Sequence, residues 1–374
     1  MQTRRVAIVA GARTPFAKAG NAFSKLGPLA LAKRAVAGLL ERHNVDAAGV
    51  EAIAMGAVIP EPGKPNLARE IVLETGMSPY IEAQTISSYC ISGLRTASLV
   101  AEAIATGRIE CGIAGGTEWL SGASPETFRE PSTGLSMGEH TEITIKEWKI
   151  SRERQDEIAL ASHQRAVAAR DRLAAQIIPV DGLNQDTGPR TNTNLDLLGR
   201  LNPVYDRERG SITAGNASPV TDGASAVLLM SEARARAEGR EPLAFIRAIE
   251  YAALHPNEGL LMAPAIAVPR VLERAKVRLR DVDLIEIHEA FAGQVLANVA
   301  AWETGWKGAQ TDPVDWQRVN VNGSSLAVGH PWAATGGRIL TTLAYEMARH
   351  DASLGLISIC AAGGMAGAFI LERS

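Results

Sequence analysis

Hydrophobic positions along the chain follow two alternating patterns. Short apolar runs edged by glycine or proline, such as 6–10 and 226–230, are typical of buried strands. Longer alanine-rich stretches, such as 93–104, have the apolar spacing of helices. Because the two kinds of segment alternate repeatedly, the pattern predicts an α/β protein with buried, mostly parallel strands. The run 6–10 leads directly into a Gly-Ala-Arg-Thr-Pro turn, so it is predicted to be the first strand and not part of a signal peptide.

Parts of the sequence recur in the second half of the chain. Segment 40–55 matches segment 272–287 without a gap, since both begin Leu-Glu-Arg and end in a strand-like run. Two short motifs also recur in the same order: Gly93-Leu-Arg95 as Gly336-Gly-Arg338, and Ala114-Gly-Gly116 as Ala362-Gly-Gly364. This order predicts two copies of one α/β unit.

The region between the two copies has a different composition. It is polar and rich in proline from about 118 to 203, and it contains a predicted helix from Ser151 to about Leu173 with Ser151 as N-cap. Strand-like sequence returns at 210–214. The predicted units are an N-terminal half (1–117), a loop domain (118–205), the continued N-terminal half (206–252) and a C-terminal half (253–374).

Composition and charge narrow the function. A hydrophobic content of 46% supports a large core, and a net charge of −3 with both signs scattered along the chain argues against nucleic-acid binding. The three cysteines fit no disulfide or zinc framework, which favours free thiols in a reducing compartment. No apolar run is long enough to cross a membrane, and 371–374 is not a peroxisomal address. We therefore expect a soluble, cytoplasmic protein.

Cys90 is the first candidate for chemistry. It lies between an extended stretch, 83–88, and the helical run 93–104. The N-terminus of a helix lowers the pKa of a nearby thiol, which favours a nucleophilic Cys90. A small buried side chain is the alternative, as it is for most free cysteines, and it is the only interpretation for Cys111.

His330 and Cys360 are further candidates. His330 lies in a Gly-His-Pro turn before a helical run, where the turn can direct the imidazole into a cleft. Cys360 ends a predicted strand just before Ala-Ala-Gly-Gly, whose small residues allow close approach of the backbone. Taken singly, the Gly-His-Pro motif favours a capping or buried structural His330, and a core side chain is the alternative for Cys360.

Two familiar motifs fail on context. His288-Glu-Ala-Phe-Ala292 lacks the second histidine of a zincin helix, so no metal site is expected. Gly134-Leu-Ser136-Met-Gly138 fits the G-x-S-x-G elbow of serine hydrolases, but no buried strand precedes Ser136. A serine hydrolase is therefore a weak alternative.

Together, the order Cys90, His288-Glu-Ala-Phe-Ala, Gly329-His-Pro and Cys360-Ala-Ala-Gly-Gly resembles the thiolase family, nearly end to end. The sequence is most similar to the β-subunit type of the fatty-acid oxidation trifunctional complex, because it has Ser132-Thr-Gly-Leu-Ser-Met-Gly138 and a histidine at 288 where most thiolases have asparagine. This resemblance implies a duplicated five-layered α/β/α/β/α sandwich with an inserted loop domain over the active site.

The resemblance also implies an activity. An acetyl-CoA C-acyltransferase or C-acetyltransferase would cleave a 3-ketoacyl-CoA to acetyl-CoA and a shortened acyl-CoA, or run the reverse Claisen condensation, through an acyl-Cys90 intermediate. His330 would take the proton of Cys90 and then help to hold a thioester oxygen. Cys360 would protonate the departing enolate. His288 would orient a water or the oxyanion itself.

Binding roles follow from the same resemblance. The backbone N–H groups of Cys90 and Ala362 would form a second oxyanion site. Met137, Ala290 and Phe291 would line the channel for the pantetheine arm of coenzyme A, which is a co-substrate and not a permanently bound cofactor. A homodimer or homotetramer is expected.

The chain departs from the family pattern at two places. The stretch between Thr117 and Ser132 is much shorter than in the β-subunit branch, where an insertion helps membrane or partner-subunit contact, so a partner α-subunit does not follow. Ala248 stands where many thiolases have a serine that contacts pantetheine.

Other functions stay open at this stage. A biosynthetic acetoacetyl-CoA thiolase would use the same residues, so the sequence fixes neither direction nor chain length. A ketoacyl-synthase type of condensing enzyme would have a second histidine in place of Cys360. A non-catalytic lipid-binding relative would be expected to lose Cys90, His330 or Cys360, and this chain keeps all three.

Overall fold

A computed structural model describes residues 4–373 of the chain. Within them, the strands are β1 (Val6–Arg13), β2 (Ala17–Lys18), β3 (Ala52–Gly56), β4 (Glu82–Ile86), β5 (Cys111–Glu118), β6 (Thr221–Ser231), β7 (Ala244–Ala253), β8 (Leu284–Ile287), β9 (Leu354–Ala361) and β10 (Met365–Glu372). The helices are α1 (Pro28–Arg42), α2 (Leu67–Glu74), α3 (Ser92–Ala105), α4 (Met137–Glu147), α5 (Arg152–Ala168), α6 (Arg170–Ala174), α7 (Leu195–Gly199), α8 (Glu232–Ala237), α9 (Pro264–Ala275), α10 (Ala292–Thr304), α11 (Ser325–Val328) and α12 (Ala334–His350).

The strands form one hydrogen-bonded series in the order β4-β3-β5-β6-β1-β7-β10-β9-β8, with β2 beside β6. The predicted first strand is confirmed as β1. The expectation of mostly parallel strands is wrong, because only β3–β4, β3–β5 and β8–β9 are parallel. Parallel neighbours need a helical crossover, whereas β9 and β10 are joined by a three-residue turn that allows only antiparallel pairing.

Three buried hydrophobic clusters define the layers. In the first, α1 and α2 pack on one face of the β4-β3-β5-β6-β1 strands. In the central cluster, α3 and α12 lie between these strands and those of the second set. In the third, α9 and α10 cover the outer face of β7, β8, β9 and β10. The five-layered α/β/α/β/α arrangement implied by the resemblance is therefore confirmed.

The duplication is visible in the backbone. Segments 40–55 and 272–287 both leave a helix, pass through a 3₁₀ turn and enter a strand, β3 in one copy and β8 in the other. Helices α3 and α12 meet at glycines, since a Cβ on Gly336 would lie 2.3 Å from the backbone N of Leu94. One predicted match is wrong: 114–116 lies inside β5, whereas 362–364 forms the turn after β9.

The region 118–205 begins with the last residue of β5, Glu118, and then contains α4 to α7 and, within the described residues, no further strand of the main sheet. Ser151 caps α5 as predicted, accepting a 3.3 Å hydrogen bond from the N–H of Arg154, but the helix ends at Ala168 and α6 follows. The strand predicted at 210–214 does not form. Instead, the N–H groups of Ser211 and Ile212 donate to Glu142 Oε1, at 2.8 and 2.7 Å.

The predicted unit boundaries stay a prediction. The boundary at 252/253 falls at the end of β7, and β7 pairs with β10 from Phe245 to Ala253. By its hydrogen bonds, β7 thus lies with the strands of the second half. Its pairing with β1 extends only over Ala7–Phe245 and Ile8–Ala244.

Candidate active site

A tight turn between β4 and α3 positions Cys90. Tyr89 has a left-handed backbone conformation (φ 49°), which is uncommon for a residue other than glycine. The Ser92 hydroxyl accepts from the N–H of Ser88 at 2.8 Å and donates to the carbonyl of Tyr89 at 2.6 Å, so it fixes this turn from both sides. As a result, the Cys90 thiol faces a cavity beside α3.

His330 approaches Cys90 from the corresponding turn before α12. Its N–H donates to Thr221 Oγ1 at 2.8 Å, and its Nδ1 lies 2.7 Å from Thr335 Oγ1. Nε2 lies 3.1 Å from Cys90 Sγ. The fold therefore joins two motifs that are far apart in sequence into one thiol–imidazole pair.

Burial controls the ionisation of this pair. It raises the pKa of Cys90 to about 12 and lowers the pKa of His330 to about 3. The predicted lowering of the thiol pKa by the helix N-terminus is wrong, because desolvation of the thiolate outweighs it. The backbone N–H groups of Ala362 and Cys90 itself act in the opposite direction and stabilise negative charge on the sulfur. The pair is consequently neutral before substrate binds.

Cys360 lies at the end of β9, opposite Ala366 of β10, and lines the same cavity. Burial and the neighbouring Cys90 both raise the pKa of its thiol well above the usual value, so the sulfur keeps its proton. The following turn holds Ala362 in place: the N–H of Gly363 donates to the buried Glu130 Oε2 at 2.9 Å. Gly364 has φ 70°, and a Cβ there would lie 2.2 Å from the carbonyl O of Leu254.

His288 is fully buried behind His330, in the turn between β8 and α10. The two imidazole centroids are 4.0 Å apart. Its Nδ1 lies 2.8 Å from Ser325 Oγ, and its Nε2 has no hydrogen-bond partner among the described residues. Burial, His330 and Arg338, in that order, lower the pKa of His288 well below its usual value, so the ring is neutral.

Ligand atoms of Cys90, His288 and His330 all lie within 4.8 Å of one another, a cluster that can be compared with metal sites. Ligand atoms around tetrahedral zinc are about 3.5 Å apart, given its usual bond lengths. The 3.1 Å contact between Cys90 Sγ and His330 Nε2 is shorter and is a hydrogen-bond distance. The cluster therefore fits proton transfer better than metal binding.

The cavity has a volume of about 350 Å³, within the range of small-molecule sites. Met137, Ala290 and Phe291 line it beside Cys90, His330, Cys360 and Ala362, whereas His288 lies deeper. Several other residues that line the cavity were not predicted from the sequence, among them Tyr89, Phe128, Tyr205, Leu261 and Trp332. Trp332 follows the Gly-His-Pro motif directly and could have been found from it; the others come from separate turns and carry no local signal.

Aromatic contacts shape the walls of this cavity. Phe128 packs edge-on against Trp332 with ring centroids 5.2 Å apart, and Tyr205 packs against Phe291 at 6.0 Å. Each pair joins the 118–205 region to a motif of the second half. The loop region thus supplies one wall of the site.

Ser136 also lines the cavity, but as the N-cap of α4. Its hydroxyl and N–H both contact Glu139 Oε2 at 2.7 Å, and it accepts from the N–H of Glu139 at 3.2 Å. This is a capping box, a structural arrangement that satisfies free N–H groups at a helix start. A loop, not a buried strand, precedes Ser136, which removes the basis for a hydrolase elbow.

Buried polar groups that support the motifs were not predicted from the sequence. Glu289 accepts from Ser162, Asn320 and the N–H of Leu326, at 2.7, 2.7 and 3.1 Å. Arg338, noted only as part of the repeat, lies with Nη1 3.5 Å from Glu286. The position of Glu289 beside His288 was the one signal in the sequence.

Comparison with known proteins gives a consistent result. Residues 6–131 and 123–233 match the family model "Thiolase, N-terminal domain", and 240–373 match "Thiolase, C-terminal domain". The 3-ketoacyl-CoA thiolase of Pseudoalteromonas atlantica is 38% identical over an alignment of 421 positions, gaps included, which covers 98% of this chain and 97% of that protein. The corresponding protein of Shewanella loihica is 39% identical with the same coverage.

Solved structures agree with the sequence matches. The Bacillus anthracis acetyl-CoA acetyltransferase has a TM-score of 0.91 and 32% identity, covering 99% of both chains. Human mitochondrial 3-ketoacyl-CoA thiolase has a TM-score of 0.90 and 30% identity over the whole of both chains.

The fold and the named relatives together define an acyltransferase. The chain belongs to the thiolase family. Among the described residues, no helix is long and apolar enough to cross a membrane.

Proposed function

We propose that this chain catalyses the coenzyme A-dependent cleavage of a 3-ketoacyl-CoA to acetyl-CoA and a shortened acyl-CoA, through an acyl-Cys90 intermediate. One observation carries the proposal: the Cys90–His330 pair, at 3.1 Å, shares its cavity with a second, protonated thiol, Cys360. A hydrolase needs one nucleophile, whereas carbon–carbon cleavage also needs a proton donor for the departing carbanion.

The first half-reaction forms the acyl-enzyme. As the Cys90 sulfur attacks the 3-keto carbon, its proton passes to His330 Nε2, so the thiolate need not exist beforehand. The bond between C2 and C3 then breaks, and its electron pair becomes the enolate of acetyl-CoA. Cys360 gives its proton to C2 and completes acetyl-CoA.

The second half-reaction releases the acyl group. The thiol of free coenzyme A attacks the Cys90 thioester, and the Cys90 sulfur leaves. The Cys360 thiolate left by the first half-reaction takes the proton of the incoming thiol, and the protonated His330 returns its proton to the departing Cys90 sulfur, so that both thiols and the neutral imidazole are restored.

Two oxyanions form in this sequence, and two groups of donors are available. The N–H groups of Cys90 and Ala362, which already stabilise charge at the Cys90 sulfur, are placed for the oxyanion of the tetrahedral intermediate. His330, with His288 or a water held by His288, receives the enolate oxygen of acetyl-CoA. His288 acts as a hydrogen-bond donor and not as a general base.

Coenzyme A is a co-substrate in this proposal, and no permanently bound cofactor is required. Met137, Ala290 and Phe291 lie along the cavity wall where the pantetheine arm would run. Ala248 is buried and offers no hydroxyl for a polar contact to this arm. Apolar packing then contributes more of the binding energy than side-chain hydrogen bonds.

A biosynthetic acetoacetyl-CoA thiolase is the second candidate. The solved structures that the chain resembles include an acetyl-CoA acetyltransferase, at 32% identity over 99% of both chains. The same residues would run the condensation, with Cys360 as the base at the methyl carbon of acetyl-CoA. Substrate preference, not site geometry, separates the two.

Assembly and location are further parts of the proposal. We expect a homodimer or homotetramer, since β4 ends the strand series with one unpaired, half-exposed edge that a second copy can cover. A partner α-subunit is not part of the proposal. All three cysteines are free, which supports a reducing compartment such as the cytoplasm.

The deciding experiment measures kcat/KM for 3-ketoacyl-CoA thioesters of increasing length, with coenzyme A as acceptor. Cleavage that rises with acyl length supports the degradative enzyme, and activity confined to acetoacetyl-CoA supports the biosynthetic one. Absence of cleavage and of condensation with every thioester would refute both. Cys111→Ala is the control, because Cys111 is buried in β5 and does not line the cavity.

A further inference from the structure

The proton of His288 can lie on either ring nitrogen, and its position decides what the ring offers to the site. A neutral imidazole donates through one nitrogen and accepts through the other. Nδ1 lies 2.8 Å from Ser325 Oγ, while the fully buried Nε2 has no protein partner within the described residues. One ring nitrogen of His288 lies within 4.8 Å of Cys90 Sγ and of a ring nitrogen of His330, and since Nδ1 is held by Ser325, Nε2 is the nitrogen left to meet a substrate atom.

Arg338 determines what the Ser325 hydroxyl can do. Nη2 of Arg338 donates to Ser325 Oγ at 2.9 Å, and a guanidinium can only donate. The single hydroxyl proton of Ser325 therefore needs another acceptor. Within the described residues, the other partner of this oxygen is His288 Nδ1.

Counting unsatisfied groups selects one tautomer. If Nδ1 carried the proton, both the Ser325 hydroxyl hydrogen and the Nε2 lone pair would lack partners at a buried site. Each unsatisfied buried group costs about 1–3 kcal/mol. If Ser325 donates to Nδ1, only the Nε2 proton lacks a partner, and a substrate oxygen can supply one.

The Arg338 side chain is itself firmly held. It is 1% exposed, its Nη1 lies 3.5 Å from Glu286, and its Nη2 also donates to Ser324 Oγ at 3.1 Å. Burial lowers the pKa of Arg338 to about 10, so the group is charged at neutral pH. Its charge also opposes protonation of His288.

Resting on the proposed function, we propose that Ser325 and Arg338 are positioning residues that keep the proton of His288 on Nε2. This N–H then donates to the thioester oxygen of the substrate, or to a water bound to it, when the enolate forms. Neither residue touches the substrate; both act through the imidazole.

A double-mutant cycle tests this coupling. Removing one oxyanion donor commonly costs about 100- to 1,000-fold in kcat. S325A keeps the imidazole but removes the hydroxyl that selects its tautomer, so it should cost about tenfold or more in kcat with little change in KM. In H288N, the asparagine donates through its side-chain N–H₂ group, which has only one protonation form and does not need Ser325 to select it. Adding S325A to H288N should therefore cause no further loss. An equal loss from S325A in both backgrounds would overturn the proposal.

Ser324 provides the matched control. Its hydroxyl accepts from the same Arg338 nitrogen, but within the described residues it makes no hydrogen bond with His288. S324A should therefore keep the kcat of the unmodified protein, and S325T should restore most of the activity lost in S325A because it restores a hydroxyl. A loss in S324A as large as that in S325A would mean that only the packing of Arg338 matters, and the proposal would be wrong.

A measurement without turnover separates this inference from the proposed function. The ¹⁵N chemical shifts of labelled histidine distinguish a protonated from an unprotonated ring nitrogen, and H288N identifies the signals of His288. We expect protonated Nε2 and unprotonated Nδ1 in the free protein, and a change toward a mixture in S325A. A protonated Nδ1 in the free protein overturns the assignment even if the enzyme is active. If no variant turns over thioesters, the proposed function fails and the ¹⁵N result alone decides.

Discussion

The two thiols at the cavity should be separable by substitution of Cys360. In C360A, the Cys90–His330 pair is untouched, so Cys90 should still accept an acetyl group from acetyl-CoA. Enolate formation has lost its base, and loss of a positioned general base costs about 100- to 10,000-fold in rate. This corresponds to about 2.7–5.5 kcal/mol in the activation barrier. Condensation should therefore collapse while acylation survives.

Truncation of Cys360 destabilises the fold too little to explain the expected loss of condensation rate. Cys360 is 1% exposed, and its side chain borders an existing cavity of about 350 Å³, so truncation enlarges that cavity and creates no new void. Losing one buried methylene-sized group costs about 1 kcal/mol. That is a modest part of the stability of a protein this size, and it does not act on a single chemical step.

Two assays run in parallel measure the separation. Solvent-deuterium exchange into the methyl group of acetyl-CoA reports enolate formation, and transfer of radiolabelled acetyl to protein reports acylation. C111A is the matched control, since this buried cysteine lies away from the cavity and should change neither assay. If C360A abolishes acylation as completely as exchange, or leaves exchange intact, the assignment of roles to the two thiols is incorrect.

Further outcomes follow from the same site. Incubation with a 3-ketoacyl-CoA, acid quench and peptide mass analysis should locate the acyl group on Cys90; an acyl group on Ser136 would contradict the proposed function. H288N should keep substantial kcat in a steady-state assay, because asparagine can donate the same hydrogen bond, whereas activity as low as that of C90A would refute this role. Gly364→Ala should lower the midpoint of thermal unfolding and reduce kcat, because φ 70° and a Cβ only 2.2 Å from the Leu254 carbonyl force the turn that holds Ala362 to move. An unchanged midpoint and an unchanged kcat would contradict this role of the turn. The pKa of His330 is lowered from 6.5 to about 3, so its neutral form stabilises the fold fully above about pH 6.5, and this contribution declines as the pH falls toward 3. The free energy of unfolding of the unmodified protein, measured against that of H330N by denaturant titration, should therefore decline over that range. A difference between the two proteins that is independent of pH would disprove a buried neutral His330.

Local sequence was sufficient where a single segment carries the signal. The apolar run at 6–10 gave β1, the capping pattern at Ser151 gave the start of α5, and the repeat of 40–55 at 272–287 gave the duplication. These features depend on neighbours along the chain, through propensity, capping and hydrophobic spacing. Order and spacing of the motifs were also sufficient to indicate the family.

Pairing between distant segments was beyond the reach of local patterns. The strand predicted at 210–214 failed because the carboxylate of Glu142 takes its N–H groups, and the antiparallel β6 and β10 are not distinguishable from parallel strands by hydrophobicity. Both outcomes depend on which groups the folded chain brings within hydrogen-bond distance.

The sequence by itself determined which residue types are available for the chemistry: two thiols and two histidines, each beside a turn of small residues or at a strand end. Only the tertiary structure decided whether these side chains are charged and in which direction their hydrogen bonds run. The helix N-terminus favours a thiolate at Cys90, but burial in the folded protein outweighs it and raises the thiol pKa to about 12. Likewise, the proton of His288 depends on Ser325 and Arg338, which stand 37 and 50 positions further along the chain and are joined to it only by the hydrogen bonds of the folded protein. Desolvation and hydrogen-bond direction are properties of an assembled environment, and no local stretch of sequence contains that environment.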